Sequence, residues 1–383
     1  MEIIRNMSGK LLLFNNEEIS LKPTLYREYL LSPMENVIER TLFYKAYGSR
    51  NTGTYIMTDT LKRIVDADEC IPRFYEFNEH VDTVVTNILH RIGGNLKVDI
   101  PYWQNILEHA DRVVPLSLGF AFVNGQIEPM NTELKRLLEM LAERIELGVR
   151  TEYDAFFLND SGIKNVRIIG CPSLYYHMDR DFRINDVSDE IKSVNFNFSS
   201  DFRNLGISQR EAVDVHWKLL LWMKWQYERL SANVHLTMQK QPFAEISDMH
   251  DVLLSYKEIH PFYKDCGRYF YSAKDWIDCL KNDDFSMGSR FHGNVAAILA
   301  GVPTLMVNVD KRMEGMNSFY KIPSISIEDF DLEKPLEYYR DKADYTDFNK
   351  IYKKRLANFI DYCNRNGVKL RKETIGSNNG EEK

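Results

Sequence analysis

The stretch Ser286-Met287-Gly288-Ser289-Arg290-Phe291-His292-Gly293-Asn294-Val295-Ala296-Ala297-Ile298-Leu299-Ala300-Gly301-Val302-Pro303 decides how the chain is read. A short strand is expected to end at Gly288. Ser289 is placed to cap the helix that follows. Gly293, Ala296, Ala297 and Ala300 are small, so that helix can lie close against a sheet. Gly301 can take the left-handed conformation past the helix end, and Pro303 stops the helix from continuing. Between strand and helix, extended backbone points Arg290 and His292 the same way, because side chains alternate. A cation and a titratable imidazole then emerge together at a helix N-terminus, which already favours anions through its free N–H groups and its dipole. Spacing alone leaves two readings open. One is an anion site with a proton donor beside it. The other is a structural pair in which Arg290 meets a carboxylate of the neighbouring strand.

Outward from this stretch, strands and helices alternate on both sides. Upstream, helices are expected over residues 37–47, 55–65, 132–143 and 151–160, and strands over 81–89, 113–122, 144–150 and 166–170. Leu134, Leu137, Leu138 and Leu141 mark one of these helices by their i, i+3, i+4, i+7 spacing. The polar run at 177–190, with Asp179, Arg180, Asp181, Arg183, Asp186 and Asp189, breaks the pattern and marks a domain boundary. The alternation then restarts, with strands over 193–198, 233–238, 268–271, 285–289, 304–309 and 324–327. Helices are expected over 209–230, 243–259, 274–280, 293–300 and 347–362. The expected organisation is an irregular lead-in (1–40), an N-terminal α/β domain (41–188), a C-terminal α/β domain (189–340), and a last helix with a disordered polar tail (341–383). Two α/β halves face a cleft, and ligands of such sheets sit at the carboxyl ends of the strands.

Composition narrows the function. The chain has 383 residues, beyond the size at which one core stops growing, so two domains are expected. It is 44% hydrophobic and 27% charged, which excludes wholesale disorder. A net charge of −7 argues against a nucleic-acid-coating protein. No run approaches the roughly 18 apolar residues of a membrane span. Met1–Lys10 lacks the apolar core of a signal peptide, so a cytoplasmic location is expected. Five scattered cysteines form neither a disulfide framework nor a CxxC metal site.

The run from Gly288 to Gly293, with the Ala-rich helix and Ala300-Gly301-Val302-Pro303, resembles the signature of the polysaccharide pyruvyl transferase family. Its members carry Ser-Arg-(apolar)-His-Gly leading into Ala-Ala-(apolar)-(apolar)-Ala-Gly-(apolar)-Pro. Other blocks agree in order: Asn51-Thr52-Gly53, the glycine-bearing strand end with Gly93-Gly94, Leu147-Gly148-Val149-Arg150, Gly170-Cys171-Pro172-Ser173, and Asp310-Lys311-Arg312. The resemblance spans roughly residues 45 to 330. Two positions depart from it: Thr54 and Cys171 stand where the family often has Asp.

The resemblance implies two Rossmann-like domains facing a cleft, similar to the GT-B glycosyltransferase architecture. It also implies transfer of the enolpyruvyl unit of phosphoenolpyruvate to two hydroxyls of a glycan sugar, forming a pyruvate ketal and releasing phosphate. The acceptor implied is a polysaccharide repeat unit or its lipid-linked oligosaccharide precursor, with no nucleic acid involved. Peripheral membrane association through residues 217–229 is compatible with such an acceptor. Phosphoenolpyruvate enters as donor substrate, with no cofactor and no metal. Its phosphate and carboxylate call for cations. Arg290 and Arg150 are the candidates, with Arg312 and Arg50 behind them. His292 suits one of the proton transfers, since its ordinary pKa lies near neutrality. Ser289, Gly293, Asn51, Gly53, Gly94 and Asn95 are candidate substrate contacts, and Asp310 either binds sugar hydroxyls or orients Arg312. Two rivals remain at this point: a nucleotide-sugar glycosyltransferase on the same fold, and a non-catalytic glycan-binding protein. His235, His250 and the Trp-rich helix at 209–230 read as structural.

Overall fold

The structure is a computed structural model. It describes residues 11–15, 53–72, 77, 79–87, 89, 92–93, 98–123, 126–198, 207–230, 232–238, 262, 265–270 and 272–371. Asn51, Gly94, Asn95, the helices expected at 37–47 and 243–259, His250 and the tail at 373–383 lie outside the described residues.

The N-terminal half carries β1 (Leu11–Asn15), β2 (Glu69–Pro72), β3 (Val81–Thr86) and β4 (Ala110–Pro115). They pair in parallel in the order β2-β1-β3-β4. A short antiparallel hairpin follows, β5 (Phe122–Val123) and β6 (Gln126–Ile127). The layer is prolonged where Leu118 bridges Val149 of β7 (Leu147–Val149), which pairs in parallel with β8 (Val166–Ile168). Residues 11–15 correct the expected lead-in. Leu-Leu-Leu-Phe-Asn is a central parallel strand, and such strands read as continuous apolar runs without alternation.

The helices of this half are α1 (Gly53–Ile64), α2 (Ile100–His109), α3 (Thr132–Ala142) and α4 (Glu152–Asp160). In α3 the four leucines are buried as their spacing requires, and the Asn131 side chain caps the helix by accepting from Leu134 N at 2.8 Å. In α4 Thr151 and Asp154 form a capping box.

The C-terminal half carries β9 (Ser193–Phe196), β10 (Asn233–Met238), β11 (Gly267–Tyr269), β12 (Phe285–Gly288), β13 (Thr304–Asn308) and β14 (Ser324–Ser326). All pair in parallel, in the order β11-β10-β9-β12-β13-β14. Counted within the half this is 3-2-1-4-5-6, the doubly wound order of dinucleotide-binding folds. Its helices are α5 (Gln209–Arg229), α6 (Ala273–Leu280), α7 (Phe291–Leu299), α8 (Lys311–Tyr320), α9 (Leu336–Arg340) and α10 (Thr346–Arg365). The molecule is therefore α/β, with two Rossmann-like halves in a GT-B-like arrangement. Among the described residues no helix is long and apolar enough to cross a membrane.

The last helix belongs to both halves. Tyr345, at the start of α10, donates its hydroxyl to Thr304 O at 3.0 Å in the C-terminal half. The helix then buries Tyr352, Leu356, Phe359 and Tyr362. It touches the N-terminal half, where Phe359 stacks on Tyr175 at 4.6 Å and Asn358 donates to Ile168 O at 2.9 Å, and the C-terminal half, where Arg355 donates to Phe319 O at 2.9 Å. Beyond it, Leu370 bridges Val65 at the end of α1. The halves also meet directly, where Ala273 N donates to Asp59 at 2.7 Å and His177 Nε2 meets Leu299 O at 2.7 Å.

Candidate active site

The strand order reverses between β9 and β12, and ligands of doubly wound sheets bind at that point. The quoted stretch sits there. Gly288 ends β12 against Asn197, just past the end of β9. A Cβ at position 288 would lie 2.5 Å from Asn197 Oδ1 and 2.6 Å from its backbone carbon and oxygen, so glycine is required. The turn into α7 is tied down by polar bonds rather than by a cap. Arg290 N donates to Asn197 O at 3.2 Å, Asn197 Nδ2 donates to Asn294 Oδ1 at 2.8 Å, and Asn294 Nδ2 donates to Gly288 O at 2.8 Å. Every residue of α7 is buried, which is what its small residues permit. Gly293 faces Asn197, 3.0 Å from where a Cβ would sit, so it serves the packing of α7 on β9.

Two expectations are corrected here. Arg290, not Ser289, is the N-cap residue, and its side chain makes no cap bond. The asparagine network holds the turn instead, and Ser289 is buried beside it. Phe291 and His292 are already helical, so alternation does not aim Arg290 and His292 together. They diverge. Arg290 Nε reaches back to Phe198 O at 3.4 Å, within its own half. His292 crosses to the other half, with Nε2 at 3.7 Å from Cys171 Sγ. Both side chains are nearly buried, Arg290 at 6% and His292 at 9% exposure.

Arg150 approaches from the end of β7 and is fully buried. Its Nε donates to Ser117 Oγ at 2.7 Å and Ser117 O at 3.2 Å. Its Nη2 lies 3.4 Å from Met57 Sδ and 3.7 Å from Cys171 Sγ, while Nη1 has no hydrogen-bond acceptor. Burial pushes the Arg150 pKa down; the nearness of Cys171 opposes this, and the charge of Arg312 adds to it. Among the described residues Arg150 forms no ion pair with a carboxylate. Asp154 is close, but its oxygens are taken by Phe120 N at 2.8 Å, Thr151 N at 2.9 Å and Thr151 Oγ1 at 2.6 Å. Burial raises the Asp154 pKa, against the lowering effect of those bonds.

Of the remaining expected residues, Gly53, Asp310 and Arg312 are described. Gly53 is buried at the start of α1, one turn before Met57. Asp310 caps α8 by accepting from Met313 N at 2.7 Å, and accepts from Arg312 Nη2 at 3.4 Å. His235 pairs with Asp283 at 2.9 Å. Among the described residues no group of three His, Cys, Asp or Glu side chains is placed to hold a metal ion.

Cys171 and the asparagine network were not foreseen as site components. Asn195 and Asn197, alternate polar residues in a strand buried on both faces, were a usable signal. Cys171 stands out only as a departure from the family pattern, and its pairing with an imidazole 121 residues away has no sequence signal.

No curated protein matches the chain in sequence. Among solved structures, it is similar to the uncharacterized protein KP1_0663 of Klebsiella pneumoniae subsp. pneumoniae NTUH-K2044, at 13% identity and TM-score 0.37, over 75% of this chain and 95% of that one. It is similar to WaaG, a glycosyltransferase involved in lipopolysaccharide biosynthesis, at 12% identity and TM-score 0.36, over 93% and 94% of the two chains. It is also similar to S. aureus MnaA in complex with UDP, at 11% identity and TM-score 0.39, over 92% and 96%. The family model described as polysaccharide pyruvyl transferase matches residues 93–311, more than half of the chain and the part that holds Arg150, Cys171, Arg290 and His292. The chain belongs to the polysaccharide pyruvyl transferase family.

Proposed function

We propose that the protein transfers the enolpyruvyl unit of phosphoenolpyruvate to two hydroxyls of one sugar in a polysaccharide repeat unit or its lipid-linked precursor. One observation carries the reading. At the junction of the halves, an imidazole, a thiol and a fully buried guanidinium come together in a chain of 3.7 Å contacts, and one guanidinium nitrogen has no acceptor.

The chemistry makes matching demands. C3 of the donor takes up a proton, leaving an oxocarbenium-like centre at C2. A sugar hydroxyl attacks C2 and gives up its proton. The bond between C2 and the phosphate oxygen breaks, phosphate leaves, and the second hydroxyl closes the ketal as its own proton departs. Cations must hold the donor's phosphate and carboxylate while this happens. Arg150 Nη1, Arg290 and Arg312 are the groups for that task, and His292 carries one of the protons. The scheme calls for no resident cofactor.

The reading is tested by following the thermal midpoint with phosphoenolpyruvate, and separately with UDP- and CMP-sugars, since a ligand of the folded state raises it. A rise with phosphoenolpyruvate that disappears in Arg290→Ala is expected. A rise with a nucleotide-sugar alone, or with no donor at all, overturns the reading.

A further inference from the structure

Cys171 is fully buried, yet three hydrogen-bonding groups converge on its sulfur. Ser173 Oγ lies at 3.1 Å, Arg150 Nη2 at 3.7 Å and His292 Nε2 at 3.7 Å. All three can donate, and one carries a fixed charge. A neutral thiol has little use for three donors, whereas a thiolate is stabilised by each of them. The same arrangement answers the Arg150 problem, a buried cation with no carboxylate bonded to it.

We propose that Cys171 and His292 form a thiolate–imidazolium pair, in which Sγ has passed its proton to Nε2 and Cys171 positions a charged His292 for proton donation. The S–H bond breaks and an N–H bond forms, so the pair as a whole gains and loses no charge. Arg150 Nη2 then faces an anion, and Nη1 remains for the donor substrate.

The charged and titratable groups around the pair come from several elements. Arg150 ends β7, and Tyr320 of α8 donates its hydroxyl to Cys171 O at 3.0 Å. Tyr175 lies on the turn that follows Cys171, and its hydroxyl donates to Ile169 O at 3.1 Å. Arg312 of α8 and Asp154 of α4 both act on Arg150 through their charge. Asp310 accepts from Arg312, and Asp154 is held by three bonds of its own, so among the described residues no carboxylate is bonded to Arg150. Cys171 Sγ is placed to face its Nη2, at 3.7 Å. The backbone aims it there: Gly170 has φ +75°, and a Cβ on it would lie 2.1 Å from the Tyr320 hydroxyl.

The pair is read directly, without donor or acceptor. Thiolate absorbance at about 240 nm is taken as wild type minus Cys171→Ser, from about pH 5 to 9, which isolates Cys171 from the other four cysteines. Expected is a thiolate signal already present at about pH 6, falling roughly tenfold or more in His292→Gln. Nitrogen NMR of histidine-labelled wild type, assigned with His292→Gln, stands even if Cys171→Ser fails to fold. His292 is expected to be charged at about pH 7, where an ordinary histidine is mostly neutral. Absence of a Cys171-dependent thiolate below about pH 8, or a neutral His292 at pH 7, overturns the pair.

The catalytic consequence rests on the pyruvyl-transfer reading and is measured separately. With phosphoenolpyruvate and a glycan acceptor, Cys171→Ser is expected to lose about 10²-fold in kcat with KM little changed. Cys171→Asp, which restores a fixed negative charge, is expected to recover most of that loss; no recovery overturns the positioning role. A thiolate signal in a wild-type protein that turns over no phosphoenolpyruvate would leave the pair standing and remove the pyruvyl-transfer reading.

Discussion

Arg150→Met separates the two readings of a buried arginine, structural support or anion binding. The substitution keeps much of the volume and removes the charge. It loses two bonds to Ser117, at 2.7 and 3.2 Å. A typical net hydrogen bond contributes about 0.5–1.5 kcal/mol, so this loss is about 1–3 kcal/mol. Against it stands the removal of a buried Nη1 donor that has no acceptor. Leaving such a group unsatisfied costs about 1–3 kcal/mol, so these two effects nearly cancel, and the net change is set by the lost Nη2 contact to Cys171 Sγ at 3.7 Å. Stability is expected to change by less than about 2 kcal/mol, a shift in thermal midpoint below about 8 °C. Donor binding has no such compensation. A hydrogen bond to a charged group is worth about 1.5–3 kcal/mol, so the Kd for phosphoenolpyruvate rises about 10- to 150-fold. Thermal denaturation with and without phosphoenolpyruvate measures both numbers on one sample. A fall of more than about 15 °C with donor binding intact would show that Arg150 is a structural residue and refute the reasoning.

Three further outcomes are expected. His292→Gln and Arg290→Ala each lower turnover by about 10²-fold or more while leaving the thermal midpoint within a few degrees; full activity in either removes that residue from the site. Gly288→Ala forces a methyl group to within 2.6 Å of the Asn197 backbone, so it costs about 1–3 kcal/mol and disturbs the turn that carries Arg290, and a wild-type melting curve would contradict that packing. His177 bridges the halves through Leu299 O, and burial lowers its pKa below the ordinary 6.5 in spite of that bond. The unfolded chain therefore takes up the proton first: the stability this ring contributes is complete above about pH 6.5 and is lost as pH falls from there through the folded-state value. His177→Gln is expected to flatten the fall in thermal midpoint between about pH 7 and 5, and an unchanged slope would rule the ring out.

What the sequence made legible follows the range of the forces involved. The turn at 286–303 could be read because Gly288, the small face of α7 and Pro303 each answer a local requirement. The two halves could be read from alternation, and the leucines of α3 from their spacing. β1 escaped because a central parallel strand of five residues has no alternation to show. Helices α2 and α8 carried no expectation: the first opens with Pro101 behind an Asp99 cap, and the second holds Gly315 in its middle. The cap at Ser289 was misplaced by one residue because Asn197, 92 positions upstream of it, already held the turn. Distance along the chain explains the largest omission as well. The signature containing Arg290 and His292 contributes only one wall of the site, and α7 delivers His292 to a thiol on the other half. That contact exists only when the halves are closed on each other, and α10 is the element that ties them, bonded to Thr304 at one end and stacked on Tyr175 further along. The proton-bearing pair is therefore a product of the closed fold, so loosening α10 should dissolve it before either half unfolds.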